Sequence, residues 1–259
     1  MSNKEKLLSR LDEIGQVLKK SEKALALLGL GSVGIELGRL DEYSDLDFFV
    51  ITKIGCKSYF LDNLDWLKSI SDLAFYFQNT KDGYKVLFDD GIFCEFAVFE
   101  PDELSKIPFS QGRIIWKEDI NENICKPIIK TEKTAQSKEW IIGEILTNLY
   151  IGLGRYRRGE KLSATRFIQS YAVDRVLELA CYIEQKNHNN VDIFSNERRF
   201  EQIYPNISKQ LPKFIQGYEH CQESAIEIIK FVEKHFEINN KMKTAILALF
   251  DVPAPKDHS

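Results

Sequence analysis

The chain has 259 residues, of which 44% are hydrophobic and 29% are charged. This length allows one large domain or two modest ones, and the composition excludes a disordered or collagen-like chain. With 35 Lys and Arg against 39 Asp and Glu, the formal net charge is −4. This balance argues against a protein that coats nucleic acid, so no nucleic-acid partner is expected.

The first third of the chain begins with a helical pattern and continues with strand patterns. Apolar residues at helical spacing predict an amphipathic helix over 4–20. Short apolar runs predict buried strands at 24–30 and 46–52. The pair Gly31-Ser32 directly follows the first of these runs and predicts a tight turn that opens a helix.

The next segment predicts a helix and a strand-rich region. A helix is expected over 57–70, and strands are expected at 73–79, 84–88 and 92–99. Asp89-Asp90-Gly91 predicts a hairpin turn, because Asp-Gly suits positive φ at both central positions. The first hundred residues therefore predict an α+β fold, with a mixed β-sheet and helices on one side.

The second half of the chain predicts helices. Residues 101–135 hold three prolines and are interpreted as an irregular connection. Helices are expected over 137–158, 161–187, 211–236 and 240–250, with a loop or short helix at 195–205. We therefore predict two domains, an α+β domain at 1–130 and an all-α helical-bundle domain at 131–259.

Two aspartates after the Gly31-Ser32 turn are the strongest candidates for a functional site. Asp45 and Asp47 stand at positions i and i+2 of a strand, so both side chains leave the same face. Two carboxylates this close repel one another unless a cation lies between them, and Mg²⁺ prefers such oxygen ligands. The backbone N–H groups of Gly31 and Ser32 are candidates to bind a phosphate.

Glu95 is the third acidic candidate. It lies between Cys94 and Phe96 in an otherwise apolar strand, where an unpartnered charge is unfavourable. If its strand neighbours the strand of Asp45 and Asp47, the three acids converge. Three acids, a phosphate-binding turn and a metal ion together are typical of nucleotidyl transfer, in which a hydroxyl attacks the α-phosphorus of a nucleoside triphosphate.

Gly31-Ser32, twelve further residues and then Asp45-x-Asp47 resemble the motif of the polymerase-β-like nucleotidyltransferase superfamily. Within it, the chain is similar to the small antibiotic nucleotidyltransferases, of the lincosamide and aminoglycoside types. The segment 91–104 is similar to the one that holds the family's third acidic residue, and residues 150–160 are similar to its C-terminal helical domain. The loop between Ser32 and Asp45 is slightly longer than in the nearest members.

This resemblance implies a Mg²⁺ ion, ATP or another nucleoside triphosphate, and transfer of a nucleoside monophosphate to a drug hydroxyl. It implies that Asp45 and Asp47 are metal ligands, and that Glu95 is either a metal ligand or the general base. Gly31 and Ser32 would bind the triphosphate. Two alternatives stay open: an enzyme that modifies proteins with a nucleotide, and a non-catalytic nucleotide-binding regulator.

Other charged residues have simpler interpretations. A basic cluster could meet the triphosphate, but the interpretation we favour is a helix end with stabilising cations; it comprises Arg155, Arg157, Arg158, Lys161 and Arg166. The acids beside the main motif and in the hairpin are interpreted as turn residues: Asp41, Glu42, Asp89 and Asp90.

The location and assembly of the protein are also expectations. The five cysteines form no C-x-x-C pair and are interpreted as reduced thiols. The N-terminus shows no signal-peptide pattern, and no apolar run approaches the roughly 20 residues that span a bilayer. We therefore expect a cytoplasmic protein without a membrane partner. The apolar helix faces are compatible with a homodimer.

Overall fold

The computed structural model describes residues 2–127, 136–187 and 195–250. The chain divides into two compact units, Met1–Glu132 and Lys133–Ser259. Their boundary falls within 128–135, outside the described residues, and the predicted domain limits stay a prediction. The expected connection over 101–135 is described up to residue 127. The expected helix over 161–187 is described in full.

The described part of the first unit contains six strands and four α-helices. The strands are β1 (Ala24–Gly29), β2 (Leu46–Thr52), β3 (Leu73–Thr80), β4 (Gly83–Phe88), β5 (Phe93–Phe99) and β6 (Arg113–Lys117). The helices are α1 (Asn3–Ser21), α2 (Lys57–Leu61), α3 (Asp65–Lys68) and α4 (Pro101–Leu104). Three short 3₁₀ helices cover Gly31–Val33, Leu37–Arg39 and Glu122–Cys125.

The six strands form one sheet in the order β3-β4-β5-β2-β1-β6. β2 and β5 run parallel to each other at its centre, and the other neighbouring pairs are antiparallel. The prediction of an α+β fold with a mixed sheet is therefore confirmed. The central parallel pair places the segment after Ser44 beside the strand of Glu95.

Most of the core of this unit lies between one sheet face and the helices α1, α2 and α3. Side chains of these helices, including Leu11, Phe60 and Trp66, pack against Phe48 of β2 and Phe96 of β5. The rings of Phe48 and Phe96 are stacked with centroids 5.3 Å apart. A smaller cluster on the opposite face includes Leu104 of α4. Helices therefore lie on both faces of the sheet, and the prediction that they lie on one side was wrong.

Three local predictions in this unit were wrong. The helix expected over 57–70 is broken into α2 and α3, because Asn63 Oδ1 accepts a hydrogen bond from Asp65 N at 2.8 Å. The connection expected over 101–135 contains α4 and the edge strand β6. In the hairpin turn, Gly91 has a φ of +87° and Asp90 has a negative φ, so only one central residue is left-handed.

The described part of the second unit is helical. It contains α5 (Lys138–Arg157), α6 (Lys161–Arg166), α7 (Val173–Leu179), α8 (Phe200–Ile203), α9 (Pro205–Ser208), α10 (Leu211–Phe214), α11 (Cys221–His235) and α12 (Asn240–Ala248). A π-helical segment, Phe167–Ala172, joins α6 to α7, and a 3₁₀ turn, Ala180–Tyr182, follows α7. In the described ranges, no helix combines the length and the apolarity needed to cross a bilayer.

Two of the long predicted helices are interrupted. The helix expected over 161–187 changes to π geometry after Arg166 and ends in the 3₁₀ turn. The helix expected over 211–236 is broken at Gly217, whose φ is +98°. Gln169 fixes this break, because its amide accepts a hydrogen bond from Gly217 N at 2.8 Å and donates one to Gly217 O at 2.7 Å.

Candidate active site

The turn after β1 lies directly against the Asp47 carboxylate. Gly31 has a φ of +52°, and a Cβ atom at this position would lie 2.7 Å from Asp47 Oδ2. Leu30 N donates a hydrogen bond to Asp47 O at 2.7 Å, which ties the turn to β2. Ser32 Oγ lies 3.5 Å from Asp45 O, a long contact. Glycine at position 31 therefore permits both the left-handed backbone and the close approach of the carboxylate.

The turn does not open an α-helix as predicted. Gly31–Val33 forms a 3₁₀ helix of three residues, and the backbone at Gly34 then departs from helical geometry. The helix dipole that would favour a phosphate in a longer helix is therefore missing from this turn. A phosphate here would rely on backbone N–H groups, the Ser32 hydroxyl and a cation.

Asp47 lies in β2, and Asp45 directly precedes Leu46, the first residue of that strand. Both are half-buried, whereas Leu46 and Phe48, which alternate with them, are buried. Leu46 and Phe48 belong to the core beneath α1, α2 and α3, so the two carboxylates lie on the opposite face. This arrangement agrees with the spacing argument from the sequence.

Glu95 lies beside Asp47 across the central parallel pair. The two residues are register partners of β2 and β5, and strands in a sheet are separated by about 4.8 Å. β5 therefore lies next to β2, which was the condition for the three acids to converge. The site residues themselves stay candidates, because contact with a nucleotide is a proposal.

The Glu95 carboxylate binds residues on the side of the sheet away from Asp47. Asn79 Nδ2 donates a hydrogen bond to Glu95 Oε1 at 2.8 Å, and Lys85 Nζ lies 3.2 Å from Glu95 Oε2. Asn79 is on β3 and Lys85 on β4, both beyond β5 as seen from β2. Among the described residues, no three Asp, Glu, His or Cys side chains form a ready-made metal cluster. Asp45, Asp47 and Glu95 are thus neighbours on one face without converging on one point.

Cys94 reports the electrostatic environment beneath the acids. Burial is the main cause that raises the pKa of the Cys94 thiol to about 12; the Arg10 cation opposes this shift, and the negative charges of Asp47 and Asp45 add to it. The thiol is therefore neutral at physiological pH and acts as a small apolar group in the core.

The loop before Asp45 is stabilised by its own polar residues. Asp41 Oδ1 accepts hydrogen bonds from Tyr43 N at 2.9 Å and from Ser44 Oγ at 3.0 Å. These two bonds lower the pKa of the Asp41 carboxyl. Asp41 is thus a turn residue, as the sequence indicated, and Ser44 supports the turn.

The basic cluster of the second unit is used mainly by the helices themselves. Arg157 donates hydrogen bonds to Leu249 O at 2.5 Å and Phe250 O at 2.7 Å, at the end of α12. Arg155 donates to Ser163 Oγ at 2.8 Å. These bonds stabilise the helical unit and support the interpretation favoured from the sequence.

The remaining members of the cluster lie closer to solvent. Arg158 forms an ion pair with Glu160 at 3.3 Å. Lys161 forms one with Glu219 at 3.1 Å. Arg166 is exposed. Surface pairs of this kind contribute little to stability and leave the cations accessible.

A cavity of about 570 Å³ lies within the helical unit. It is lined in part by Trp140, Tyr182 and Tyr204, and by the ion pair between Arg175 and Glu178 at 3.1 Å. Trp140 is 43% exposed. The cavity has no pair of adjacent carboxylates, so it does not compete with the sheet as a metal site.

Asn79 and Lys85 were not predicted from the sequence as residues of the site. Lys85 could have been found, because a hairpin centred on Asp90 places position 85 opposite position 95, as the structure has it. Asn79 carries no comparable signal, since it reaches Glu95 from the edge strand across an intervening strand.

Comparisons with known proteins find several similar solved structures, two of which follow. An aminoglycoside 6-adenyltransferase from Bacillus subtilis has a TM-score of 0.39 and 10% identity, over 93% of this chain and 98% of that one. A nucleotidyltransferase-like protein from Exiguobacterium sibiricum 255-15 has a TM-score of 0.34 and 11% identity, over 85% of this chain and 73% of that one. No family model and no curated protein matches the chain.

Proposed function

We propose that the chain is a metal-dependent nucleotidyltransferase, which moves a nucleoside monophosphate from a nucleoside triphosphate to a hydroxyl of a small molecule. The observation that carries this proposal is the placement of Asp45 and Asp47 on one sheet face, with the Gly31 backbone against Asp47 and Glu95 in register beside it. ATP is the expected triphosphate and an antibiotic the expected acceptor, on the sequence resemblance.

The donor set fits a hard divalent cation such as Mg²⁺. Asp45 and Asp47 supply carboxylate oxygens from one face, and their mutual repulsion favours a cation between them. The missing side chain of Gly31 leaves the space next to Asp47 Oδ2 that a Cβ atom would fill. Asp45 and Asp47 would hold the Mg²⁺ ion, which would supply positive charge to neutralise the phosphates and the leaving pyrophosphate.

The proposed reaction is a displacement at phosphorus. The acceptor hydroxyl oxygen attacks the α-phosphorus, and the bond from this phosphorus to the oxygen that bridges to the β-phosphate breaks. The nucleoside monophosphate becomes attached to the acceptor, pyrophosphate leaves, and the hydroxyl proton passes to a base. Glu95 has two candidate roles in this scheme, third metal ligand and general base.

The protein itself contributes position and charge. The Gly31-Ser32 turn would orient the triphosphate through backbone N–H groups and the Ser32 hydroxyl, while Asp45 and Asp47 fix its metal-bound end. Such positioning accounts for much of the rate enhancement in phosphoryl-type transfers. The homodimer and the cytoplasmic location stay predictions.

A pyrophosphate-release screen tests the proposal. Four nucleoside triphosphates are combined with Mg²⁺ and a panel of hydroxylated antibiotics that includes lincosamides and aminoglycosides. We expect release with at least one pair, and Asp47→Asn should lower its rate by about a thousandfold or more while the protein still folds. The matched control is Asp12→Asn, an exposed aspartate of α1, which should behave like the parent protein.

The other outcomes are informative. Labelled protein bands after incubation with labelled ATP and cell lysate would instead support the protein-modifying alternative. Calorimetric binding of ATP with Mg²⁺, but no pyrophosphate with any acceptor, would support the non-catalytic regulator. Normal turnover by Asp47→Asn would remove the basis of the proposed site.

A further inference from the structure

The two oxygens of Glu95 are each bound by a different strand. Oε1 accepts the amide of Asn79 at 2.8 Å, and Oε2 faces the ammonium of Lys85 at 3.2 Å. Lys85 and Glu95 are register partners of the antiparallel pair β4–β5, and Glu95 and Asp47 are register partners of the parallel pair. Lys85, Glu95 and Asp47 therefore form one row across three strands, with Glu95 in the middle.

Within this row the Glu95 carboxylate is engaged by the β3–β4 side. Both of its bonds come from strands on the far side of β5 from Asp47. The absence of a three-acid cluster in the described part of the chain agrees with this placement. The acids thus divide into the pair Asp45 and Asp47 on one side, and a separately held Glu95 on the other.

Asn79 shows that this arrangement is not favoured by stability alone. Its Oδ1 atom is buried and has no hydrogen-bond partner among the residues that the structure describes, while its Nδ2 atom binds Glu95. A buried carbonyl oxygen without a partner is destabilising, and such atoms in native structures call for an explanation. Orienting the Glu95 carboxylate is an explanation that the hydrogen bond supports directly.

We propose that Asn79 and Lys85 are positioning residues that hold Glu95 away from the metal site, where it acts on the acceptor hydroxyl. This inference rests on the proposed function and assigns one of the two candidate roles of Glu95. Asp45 and Asp47 then bind the metal–triphosphate without Glu95. Glu95 accepts the hydroxyl proton, and Asn79 and Lys85 act only through the orientation of its carboxylate.

Metal binding separates this assignment from the alternative without requiring turnover. Binding of Mn²⁺ with a non-hydrolysable ATP analogue is measured by calorimetry for the parent protein, Asp47→Asn and Glu95→Gln. We expect Asp47→Asn to weaken binding by about tenfold or more, and Glu95→Gln to change it by less than about threefold. A loss in Glu95→Gln as large as that in Asp47→Asn would make Glu95 a metal ligand and overturn the inference.

Turnover with the best acceptor from the screen tests the two positioning residues. Asn79→Leu and Lys85→Met should each lower kcat/KM for the acceptor by about tenfold to a hundredfold, with little change in Mn²⁺–nucleotide affinity. Lys85→Arg should restore most of the loss, because it returns a cation to Glu95. Lys20→Met, an exposed lysine of α1, is the matched control and should match the parent protein.

A double-mutant cycle distinguishes positioning from a general structural role. In the Glu95→Gln background, Asn79→Leu and Lys85→Met should cause no further loss, because they act through that carboxylate. Asn79→Leu should also leave the melting temperature within about 2 °C of the parent, since the loss of the hydrogen bond to Glu95 is offset by removal of the Oδ1 atom, which is buried without a partner among the described residues. Equal losses in both backgrounds would contradict the inference. If the parent protein binds no Mn²⁺ and nucleotide at all, the proposed function fails and the inference fails with it.

Discussion

The sequence contains two concentrations of like charge, the acidic pair Asp45 and Asp47 and the basic cluster of the helical unit. The structure gives them different surroundings. In the helical unit, Arg157 binds the carbonyls of Leu249 and Phe250, and Arg155 binds Ser163. Arg157 thus completes the end of α12 and Arg155 ties α5 to α6, so both cations have a structural role. In the sheet, Asp45 and Asp47 are placed side by side on one face.

Charged residues that the fold itself explains differ from charged residues that need a ligand. Carbonyls at a helix end need donors, so an arginine there is explained by the fold. Two adjacent carboxylates repel each other, and the sheet gains nothing from their proximity unless a cation joins them. Only the second arrangement points to chemistry, although the first has more charged residues.

Gly31→Ala tests the acidic side of this comparison through the turn that contacts Asp47. Alanine at a φ of +52° destabilises the turn by about 1–2 kcal/mol. Its Cβ atom would also lie 2.7 Å from Asp47 Oδ2 and displace the carboxylate. We expect kcat/KM for the triphosphate to fall by about a hundredfold, since small misplacements near reacting groups have effects of this size.

Gly38→Ala is the matched control for this substitution. Gly38 lies in the same loop, has no positive φ, and an added Cβ atom would meet nothing within 4 Å. Its kinetics and its unfolding transition in urea should equal those of the parent protein. Equal behaviour of the two alanine variants would show that the turn does not position Asp47 for function.

The fold was predictable from the sequence where periodicity is local. α1, β2 and β4 follow from apolar spacing, and their observed bounds lie within one or two residues of the expected ones. β6 was missed because its five residues form a strand only through pairing with β1, about ninety residues earlier. The break at Gly217 depends on Gln169 in another helical segment, which no local pattern contains.

In the candidate site too, the residues that are close in the chain were predictable, and the contacts between distant strands were not. Gly31, Ser32, Asp45 and Asp47 are close in the chain, so their spacing predicts a shared location. Glu95 was found as a charge in an apolar strand, but its place beside Asp47 depends on the parallel pairing of two distant strands. The direction of its carboxylate depends on Asn79 and Lys85, and side-chain orientation of this kind is not encoded in spacing.

Arg157→Met tests the other side of the comparison with a smaller effect. It removes two hydrogen bonds from a charged donor to the end of α12 and keeps most of the apolar stem. We expect the free energy of unfolding to fall by about 2 kcal/mol, measured by urea denaturation. Affinity for Mg²⁺ with an ATP analogue should not change. A large loss of nucleotide affinity in a folded variant would give the basic cluster a functional role.

Arg158→Met and Arg166→Met should have the smallest effects. The ion pair of Arg158 with Glu160 joins side chains that are 64% and 44% exposed, and Arg166 is itself exposed. Replacing either arginine should change the free energy of unfolding by less than about 0.5 kcal/mol. If the fold alone explains this cluster, calorimetry should also find nucleotide affinity unchanged in both variants. A severalfold loss of affinity at unchanged stability would instead mean that these accessible cations contact the triphosphate. Both units would then contain charged residues that bind the nucleotide, and the contrast between the acidic pair and the basic cluster would no longer hold.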